Sequence, residues 1–249
     1  MTLDELLDSG FQSKYTDQGS EQWEQIRAGR FTSSEIYKIM ECGKREMTPE
    51  ELAARPKKGK GSKTTTVPDP TKMSEKGMTY IYQKVSEVLT GRPKPSAYAY
   101  PLVWGKETEP EAVEFFTNKT GLEVEEIGFQ TWSDHAGGSP DRMVTDGISG
   151  LEIKCPFLSE NQINYLMLTD HYDLKRMHPE YYWQCVSLML FTGRKQWFFC
   201  TYDPRMILDK HKMTTIVIHS EKVSEDMDLV NKALEAAIKI KLETLQMLS

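Results

Sequence analysis

A turn followed by a strand-like segment constrains the fold more than any other part of the sequence. Residues 145–150 are rich in Asp, Gly and Ser, and apolar residues between positions 151 and 157 then alternate with Glu152 and Lys154. Such alternation is typical of a β-strand, and the turn predicts that this strand pairs with the preceding segment in a hairpin. We therefore expect one face of the strand to be buried and the charged pair to lie on the other face.

A Ser-Pro-Asp sequence ending at Asp141 precedes this turn. With the turn centred in residues 145–150, Asp141 falls opposite Lys154, and Glu152 lies diagonal to Asp141 on the same face. Paired carboxylates suit Mg²⁺ or Mn²⁺, and the lysine could position or deprotonate an attacking water. These are the parts needed for metal-assisted phosphodiester hydrolysis. A Glu-x-Lys triplet also arises by chance in a chain of this length, so a surface cross-strand salt bridge is the alternative.

Two further polar residues are candidates for the same site. Glu109 lies near an expected helix start, where it is either a third metal ligand or an acid that favours the helix dipole. Gln184 lies inside an apolar, aromatic helix, so it is either buried and hydrogen-bonded or faces the site. The residues alone favour the helix-dipole explanation for Glu109 and leave both alternatives open for Gln184.

Residues 23–35 combine a basic turn with a predicted helix start. Thr32 fits the N-cap of a capping box in which Glu35 reaches back. Free backbone N–H groups, hydroxyls such as that of Ser34 and the guanidinium of Arg27 together suit a phosphate group. An ordinary capped helix after a basic turn explains the same residues, and the pattern alone favours that simpler account.

Hydrophobic periodicity predicts a mixed α/β domain with a central sheet. Helical and period-two segments follow one another in the order α–α–α–βββ–α–ββ–α. The predicted helices lie within residues 23–40 and at roughly 73–90, 107–120, 180–191 and 224–248. The predicted strands cover 126–132, 142–145, 150–156, 196–202 and 214–219. The expected buried face of the last helix consists of Val230, Leu234, Ile238, Leu242 and Leu245.

The interval at about 43–72 differs in composition from its surroundings. It is rich in Gly, Ser, Thr and Pro, has no acidic residue between Leu52 and Pro68, and contains a basic run formed by Arg55, Lys57, Lys58, Lys60 and Lys63. We expect a mobile basic loop inserted in the domain, which serves either as a solvated linker or as a contact for the DNA backbone.

Composition limits the class of protein. The 249 residues, 39% of them hydrophobic, suit a single domain over 1–249 and exclude a disordered chain. We expect a cytoplasmic protein without membrane contact, because no long apolar run or secretory leader is visible and the four cysteines are widely spaced. The histidines lack zinc-site spacing, and no Walker loop occurs. A net charge of −6 disfavours binding to nucleic acid, but it still allows one basic channel within an acidic chain.

Several motifs, taken in order, resemble the phage lambda exonuclease family, also called YqaJ-like viral recombinases. The resemblance covers about residues 22–219 and rests on the segments 23–35, 104–109, 139–141 and 151–157, on Gln184, and on 202–206. It implies the PD-(D/E)xK fold, a restriction-endonuclease-like α/β core in which helices flank a central mixed β-sheet.

The resemblance also implies roles for individual residues. The catalytic set consists of Asp141, Glu152, the carbonyl of Ile153 and Glu109 as metal ligands, Lys154 as the catalytic lysine, and Gln184 beside it. Residues that match the grip on a 5′-phosphate are Arg27 and Ser34, and Leu102 corresponds to an apolar wedge at the duplex end.

The implied activity is a Mg²⁺-dependent 5′→3′ exonuclease, with Mn²⁺ as a second usable ion. It would digest one strand of linear duplex DNA and leave a 3′ overhang for a single-strand annealing protein. A homotrimeric ring is the implied assembly, and the host cytoplasm is the implied location if a phage or prophage encodes the chain. The alternatives are a PD-(D/E)xK endonuclease, a single-strand nuclease, and a non-catalytic scaffold that binds DNA ends.

Overall fold

The computed structural model describes residues 20–53, 65–94 and 100–249. Its helices are α1 (Glu21–Arg27), α2 (Pro49–Ala53), α3 (Glu75–Thr90), α4 (Tyr100–Thr120), α5 (Ser159–Leu166), α6 (His171–Met177), α7 (Pro179–Thr192), α8 (Asp209–Lys212) and α9 (Ser224–Leu248). Two 3₁₀ segments lie at Ser33–Ile39 and Ser220–Lys222. Among these described residues, no helix is both long and apolar enough to cross a membrane.

The strands form three sheets. They are β1 (Phe31–Thr32), β2 (Cys42–Glu46), β3 (Thr66–Met73), β4 (Val124–Glu125), β5 (Gln130–Ser133), β6 (Ala136–Gly138), β7 (Arg142–Val144), β8 (Ser149–Lys154), β9 (Gln196–Tyr202) and β10 (Met213–His219). The largest sheet has the order β10-β9-β8-β7-β4, in which only β8 and β9 run parallel. Strands β1, β6 and β5 form a second sheet, and β2 pairs with β3. The predicted mixed α/β class with a central sheet is confirmed.

Both faces of the large sheet are covered. On one face, Ala112 and Phe116 of α4 pack with Leu151 and Phe198 in one apolar cluster. On the other face, α7 packs in a second cluster that includes Phe199. Glu152 is therefore 0% exposed, and the alternative of a surface cross-strand salt bridge is wrong. Helix α7 supplies the cover that strand alternation alone could not predict.

Most long elements lie where periodicity places them, with one large difference in α4. This helix begins at Tyr100 rather than near Glu107 and includes Pro110. Pro101 is tolerated because the first helical turn leaves N–H groups without intrahelical partners. The strand predicted at 126–132 is only partly correct, since β5 covers Gln130–Ser133, residues 126–129 are not in a strand, and β4 lies just before the predicted segment.

The flanks of the basic interval are ordered strands rather than loop. Strands β2 and β3 pair in an antiparallel ribbon, with Glu46 opposite Thr66 and Lys44 opposite Pro68. A proline is acceptable at the edge of such a ribbon, and Arg45 also forms a bidentate pair with Glu51. The five basic residues of the run lie outside the described residues, so the expected loop concerns only that part.

The C-terminal helix is amphipathic, as predicted, but its buried stripe contains a lysine. Val230, Leu234 and Leu245 are buried as expected. Ile238 and Leu242 are only partly buried, while Ala237 and Lys241 occupy fully buried positions. The observed stripe is therefore rotated from the predicted one, toward a side where Lys241 finds polar partners.

Candidate active site

The β7–β8 hairpin sets the position of the candidate catalytic residues. Arg142 lies opposite Leu151, and continuing this register outward puts Asp141 opposite Glu152 rather than opposite Lys154. The predicted register is thus wrong by two residues. The cause is a tighter turn, in which the Asp146 carboxylate accepts the N–H groups of Ile148 and Ser149 and fixes the start of β8.

Asp141 is tied to β8 through the main chain. Its Oδ2 atom accepts the N–H of Ile153 at 2.7 Å. This bond holds one carboxylate beside the next, because Ile153 directly follows Glu152 in the strand. Ile153, whose carbonyl is a predicted ligand, therefore belongs to the same small unit as both acids.

Glu152 is fully buried and has one free oxygen. Its Oε1 accepts the Nε2 of Gln184 at 2.6 Å and also the ammonium of Lys154. Its Oε2 is buried and has no hydrogen-bond partner in the described part of the chain. Burial, reinforced by the charge of Asp141, raises the pKa of Glu152 to about 8. Gln184 is therefore buried and hydrogen-bonded, and it also faces the site, so the two alternatives for this residue hold together.

Lys154 reaches the same cluster from the end of β8, with 27% of its side chain exposed. Burial disfavours its charge, but the carboxylates of Glu152 and Asp141 outweigh this effect and raise the pKa of Lys154. Its ammonium also lies 5.4 Å from the ring centroid of Tyr181 on α7. Tyr181 is a neighbour that the sequence motifs did not single out.

Glu109 joins the cluster from the middle of α4. Because α4 begins nine residues earlier, at Tyr100, the helix-dipole explanation of this acid is wrong. Arg142 donates to Glu109 Oε1 at 2.8 Å and pairs with Glu126 at 3.0 Å. Burial and the charge of Asp141 raise the pKa of Glu109, against the effect of Arg142. Sequence analysis missed Arg142, although it directly follows Asp141.

The donor set is compatible with a divalent cation. Within the described residues, no three His, Cys, Asp or Glu side chains converge as a ready-made metal cluster. The buried Oε2 of Glu152 is nevertheless a carboxyl oxygen that lacks a hydrogen-bond partner in the described part of the chain, and the charge of Asp141 acts on the same group. Two hard oxygen donors with room for water are what Mg²⁺ requires of a protein.

The loop after Lys154 is clamped by the 202–206 motif. Arg205 donates to both oxygens of the fully buried Asp203 and to the carbonyls of Pro156 and Phe157. Trp104 donates its indole N–H to the carbonyl of Pro156 at 3.1 Å and stacks against Arg205 at 4.5 Å. These contacts fix α4 against the chain that follows β8.

Leu102 lies in the first turn of α4 and is 56% exposed. The rings of Tyr100 and Trp104, on either side of it in sequence, both contact Phe157. Leu102 is two residues from each of these rings in the helix and therefore lies on a different side of α4, where it is exposed.

The segment around Ser34 differs from the predicted capped α-helix. Residues Ser33–Ile39 form a 3₁₀ segment, and the Thr32 side chain does not cap it. Thr32 donates its N–H to the Tyr80 hydroxyl at 3.0 Å, while Glu35 pairs with Lys38 instead of reaching back. The capping box is therefore wrong, because Tyr80 takes the N–H that would have anchored it. Ser34 is left exposed.

Arg27 is connected to the segment that precedes Asp141 through an indole. Its guanidinium lies 3.9 Å from the ring centroid of Trp23, and the Trp23 N–H donates to the Ser139 hydroxyl at 2.8 Å. Ser139 lies two residues before Asp141. Burial lowers the pKa of Arg27, although the charge of Glu35, next to Ser34, opposes this effect. The structure thus places the predicted phosphate-binding segment against the predicted catalytic one.

Comparison with known proteins identifies relatives of this arrangement. The model of the YqaJ-like viral recombinase domain matches residues 22–195. An alkaline exonuclease from Laribacter hongkongensis has 22% sequence identity, a TM-score of 0.64, and coverage of 92% of this chain and 96% of that one. The same enzyme in complex with dAMP gives a TM-score of 0.66 at the same identity and coverage.

A phage-related exonuclease from Haemophilus somnus 129PT has 13% identity and a TM-score of 0.65, covering 88% of this chain and 96% of that one. No curated protein matches the chain significantly. The structural neighbours have the PD-(D/E)xK fold, as expected from the sequence.

Proposed function

Since the chain belongs to the YqaJ-like viral recombinase domain family, we propose that it is a Mg²⁺-dependent 5′→3′ exonuclease of the lambda exonuclease type. It digests one strand of linear duplex DNA from a 5′-phosphorylated end and leaves a 3′ overhang. The observation that carries this proposal is the cluster at Glu152, where Lys154 and Gln184 hold one carboxylate oxygen and leave the other without a partner.

The metal-binding residues would be Asp141, Glu152, the carbonyl of Ile153, and Glu109. When bound, Mg²⁺ would supply Lewis-acid polarisation of the scissile phosphate and a lower pKa for the attacking water, and Mn²⁺ would do the same. Ionisation of Glu152 is disfavoured by burial, and a neighbouring divalent charge would reverse this, as the unpaired Oε2 suggests.

The chain's own groups divide the remaining work. Lys154 is held as a cation by its two carboxylate neighbours, which suits charge stabilisation at the phosphate and the orientation of water. Gln184 fixes the Glu152 carboxylate and thereby directs its free oxygen. The clamp formed by Arg205 and Trp104 holds the loop after Lys154 and reduces its freedom to move away.

End recognition is proposed for Arg27 and Ser34, which would bind the terminal 5′-phosphate beside the catalytic cluster. The Trp23 bond to Ser139 supports this, because it connects the two segments through one side chain. Leu102, exposed in the first turn of α4, would wedge against the last base pair. The proposed assembly is a homotrimeric ring in the cytoplasm, acting with a single-strand annealing protein. A basic channel in such a ring is compatible with a net charge of −6.

Digestion of three DNAs in Mg²⁺ tests the proposal. The substrates are a linear duplex with 5′-phosphate, the same duplex with 5′-hydroxyl, and a covalently closed circle, with an EDTA reaction as control. We expect fast loss of the phosphorylated strand and an intact circle. Nicking of the circle would instead favour an endonuclease. No cleavage in Mg²⁺ or Mn²⁺ would favour a non-catalytic protein that binds DNA ends.

A further inference from the structure

The main chain at Gly29 lies between the two residues proposed for 5′-phosphate binding, Arg27 and Ser34. Gly29 follows Arg27 at the end of α1 and leads through β1 to Ser34. Its φ of 72° lies in the left-handed region, and a Cβ there would approach Val88 Cγ2 to 2.6 Å. The chain direction at Gly29 therefore sets how Arg27 is placed relative to Ser34.

A side chain of helix α3 binds the main-chain N–H of Gly29. Glu87 accepts the Gly29 N–H at 2.8 Å and is only 5% exposed. The same carboxylate accepts Lys84 at 2.9 Å and Gln83 at 2.9 Å. Glu87 is thus fixed by two neighbours of its own helix and presents its oxygen to Gly29 in a defined direction.

A side chain of the C-terminal helix, α9, binds the main-chain carbonyl of Gly29. Lys241 is 1% exposed, and its ammonium donates to the Gly29 carbonyl at 2.9 Å. It also lies 3.2 Å from His135 Nδ1, and the His135 carbonyl accepts the N–H of Phe31. Among the described residues, no carboxylate lies within 4.0 Å of Lys241 as an ion-pair partner, so this lysine is buried without a counter-ion.

Burying a lysine without a counter-ion costs free energy of folding. We therefore look for a role of Lys241 beyond stabilising the fold. Its surroundings are rich in positive charge. Burial, together with the nearby charges of Arg30 and Lys84, lowers the pKa of Lys241 to about 8, against the effect of Glu87. Arg27 is near the same group of charges, since Glu87 also acts on it. This local excess of cations would be balanced by an anionic ligand such as a phosphate.

We propose that Lys241 and Glu87 are positioning residues for end recognition: they bind the main-chain carbonyl and N–H of Gly29 and so set the spacing of Arg27 and Ser34 for a terminal 5′-phosphate. This inference rests on the proposed function. It gives the C-terminal helix a part in substrate selection, through a contact between residues 212 positions apart in the chain.

Steady-state kinetics of Lys241→Met on the full chain tests the inference, with the 5′-phosphate and 5′-hydroxyl duplexes as substrates. Met keeps the length of the side chain and removes the donor and the charge. We expect KM for the phosphorylated duplex to rise roughly ten- to a hundredfold, since small displacements of binding groups have effects of this size. The value of kcat and the KM for the hydroxyl duplex should stay within about twofold, because the catalytic cluster is untouched.

Lys239→Met is the matched control, because Lys239 lies on the same helix with 76% of its side chain exposed. It should behave as wild type. An unchanged preference for phosphate in Lys241→Met, or an equal loss on both duplexes, would overturn the inference. Wild-type protein without any preference for phosphate would instead contradict the proposed function, so the two failures are distinguishable.

Glu87→Asp decides the matter if Lys241→Met does not fold. It keeps the negative charge near Lys84 but withdraws the acceptor from Gly29 by one methylene. We expect the same selective rise in KM for the phosphorylated duplex. An unchanged preference in folded Glu87→Asp, judged by its unfolding transition, would overturn the inference.

Discussion

The proposed catalytic edge of the sheet and the proposed phosphate-binding segment at residues 23–34 are built in opposite ways. At the catalytic edge, acidic groups are placed by strand register, and a main-chain N–H fixes Asp141. In the phosphate-binding segment, the peptide at Gly29 is placed by side chains of two distant helices, Glu87 and Lys241. The first region has an excess of carboxylates, and the second has an excess of buried cations.

This difference separates chemistry from recognition. A carboxylate cluster that lacks a partner for one oxygen suits a divalent cation, whereas buried cations suit the terminal phosphate. The two regions meet at the bond between Trp23 and Ser139. Substitutions at the catalytic edge should therefore alter kcat on every substrate, while those in the phosphate-binding segment should alter KM for one kind of end.

Lys154→Ala gives the largest expected effect. It should lower kcat by about 10³–10⁴-fold on both duplexes, because it removes the cation that stabilises charge at the phosphate. Binding of linear duplex, measured by fluorescence anisotropy in EDTA, should survive. Lys195→Ala, at an exposed lysine, is the control. Loss of binding together with cleavage would show that Lys154 serves recognition as well and would weaken the division between the two regions.

Arg27→Ala should produce a smaller and selective effect. We expect KM for the 5′-phosphorylated duplex to rise roughly ten- to a hundredfold, the value of one or two charge-assisted hydrogen bonds. The 5′-hydroxyl duplex should be affected much less. The measurement is the ratio of kcat/KM for the two ends. An equal loss on both would remove Arg27 from the phosphate site.

The catalytic edge was largely predictable from sequence because its parts are close in the chain. Asp141, Glu152 and Lys154 are separated by one turn, so strand periodicity brings them together even with the register wrong by two residues. The error came from Asp146, whose capping bonds tighten the turn. The burial of Glu152 was not predictable, because it depends on α7. This helix lies later in the chain, in the crossover connection between the parallel strands β8 and β9.

The phosphate-binding segment was less predictable because its supports are remote. The capping-box pattern at Thr32 was wrong, since Tyr80 on α3 takes the N–H. A lysine on an otherwise apolar helical stripe is normally expected to point to solvent, and nothing near Lys241 in sequence indicates a partner at Gly29. Local patterns determined the helix itself but not what its buried polar residue contacts.

Gln184→Leu tests the catalytic edge with a moderate effect. Removing the amide donor frees Glu152 Oε1 from one of its two partners and should lower kcat by about tenfold, the equivalent of one hydrogen bond of about 1.4 kcal/mol. KM should be nearly the same for both ends. Ser187→Ala, one turn further along α7, is the control, since its hydroxyl bonds only within the helix. A wild-type rate in Gln184→Leu would mean that Lys154 alone fixes the carboxylate.

The smallest effect concerns stability and the buried charge of Lys241. A lysine whose pKa is about 8 in the folded chain, against an ordinary 10.5, binds fewer protons when folded than when unfolded between these pH values. The free energy of unfolding therefore rises with pH through this window, and the contribution of Lys241 levels off below about pH 8, where both states are protonated. Relative to Lys241→Met, wild type should gain about 1 kcal/mol between pH 7.5 and pH 9 in urea unfolding.

The groups that face Lys241 keep this prediction specific. Arg30 stays charged over the window, His135 is already neutral because its pKa is lowered, and Glu87 is ionised because its pKa is lowered. Burial also lowers the pKa of Lys84, but its contribution is common to wild type and Lys241→Met and so cancels in the comparison. Lys239→Met should leave the pH dependence of wild type intact. A parallel pH dependence in wild type and Lys241→Met would mean that the ammonium is solvated in solution. That outcome would contradict the burial of Lys241 without a nearby carboxylate among the described residues.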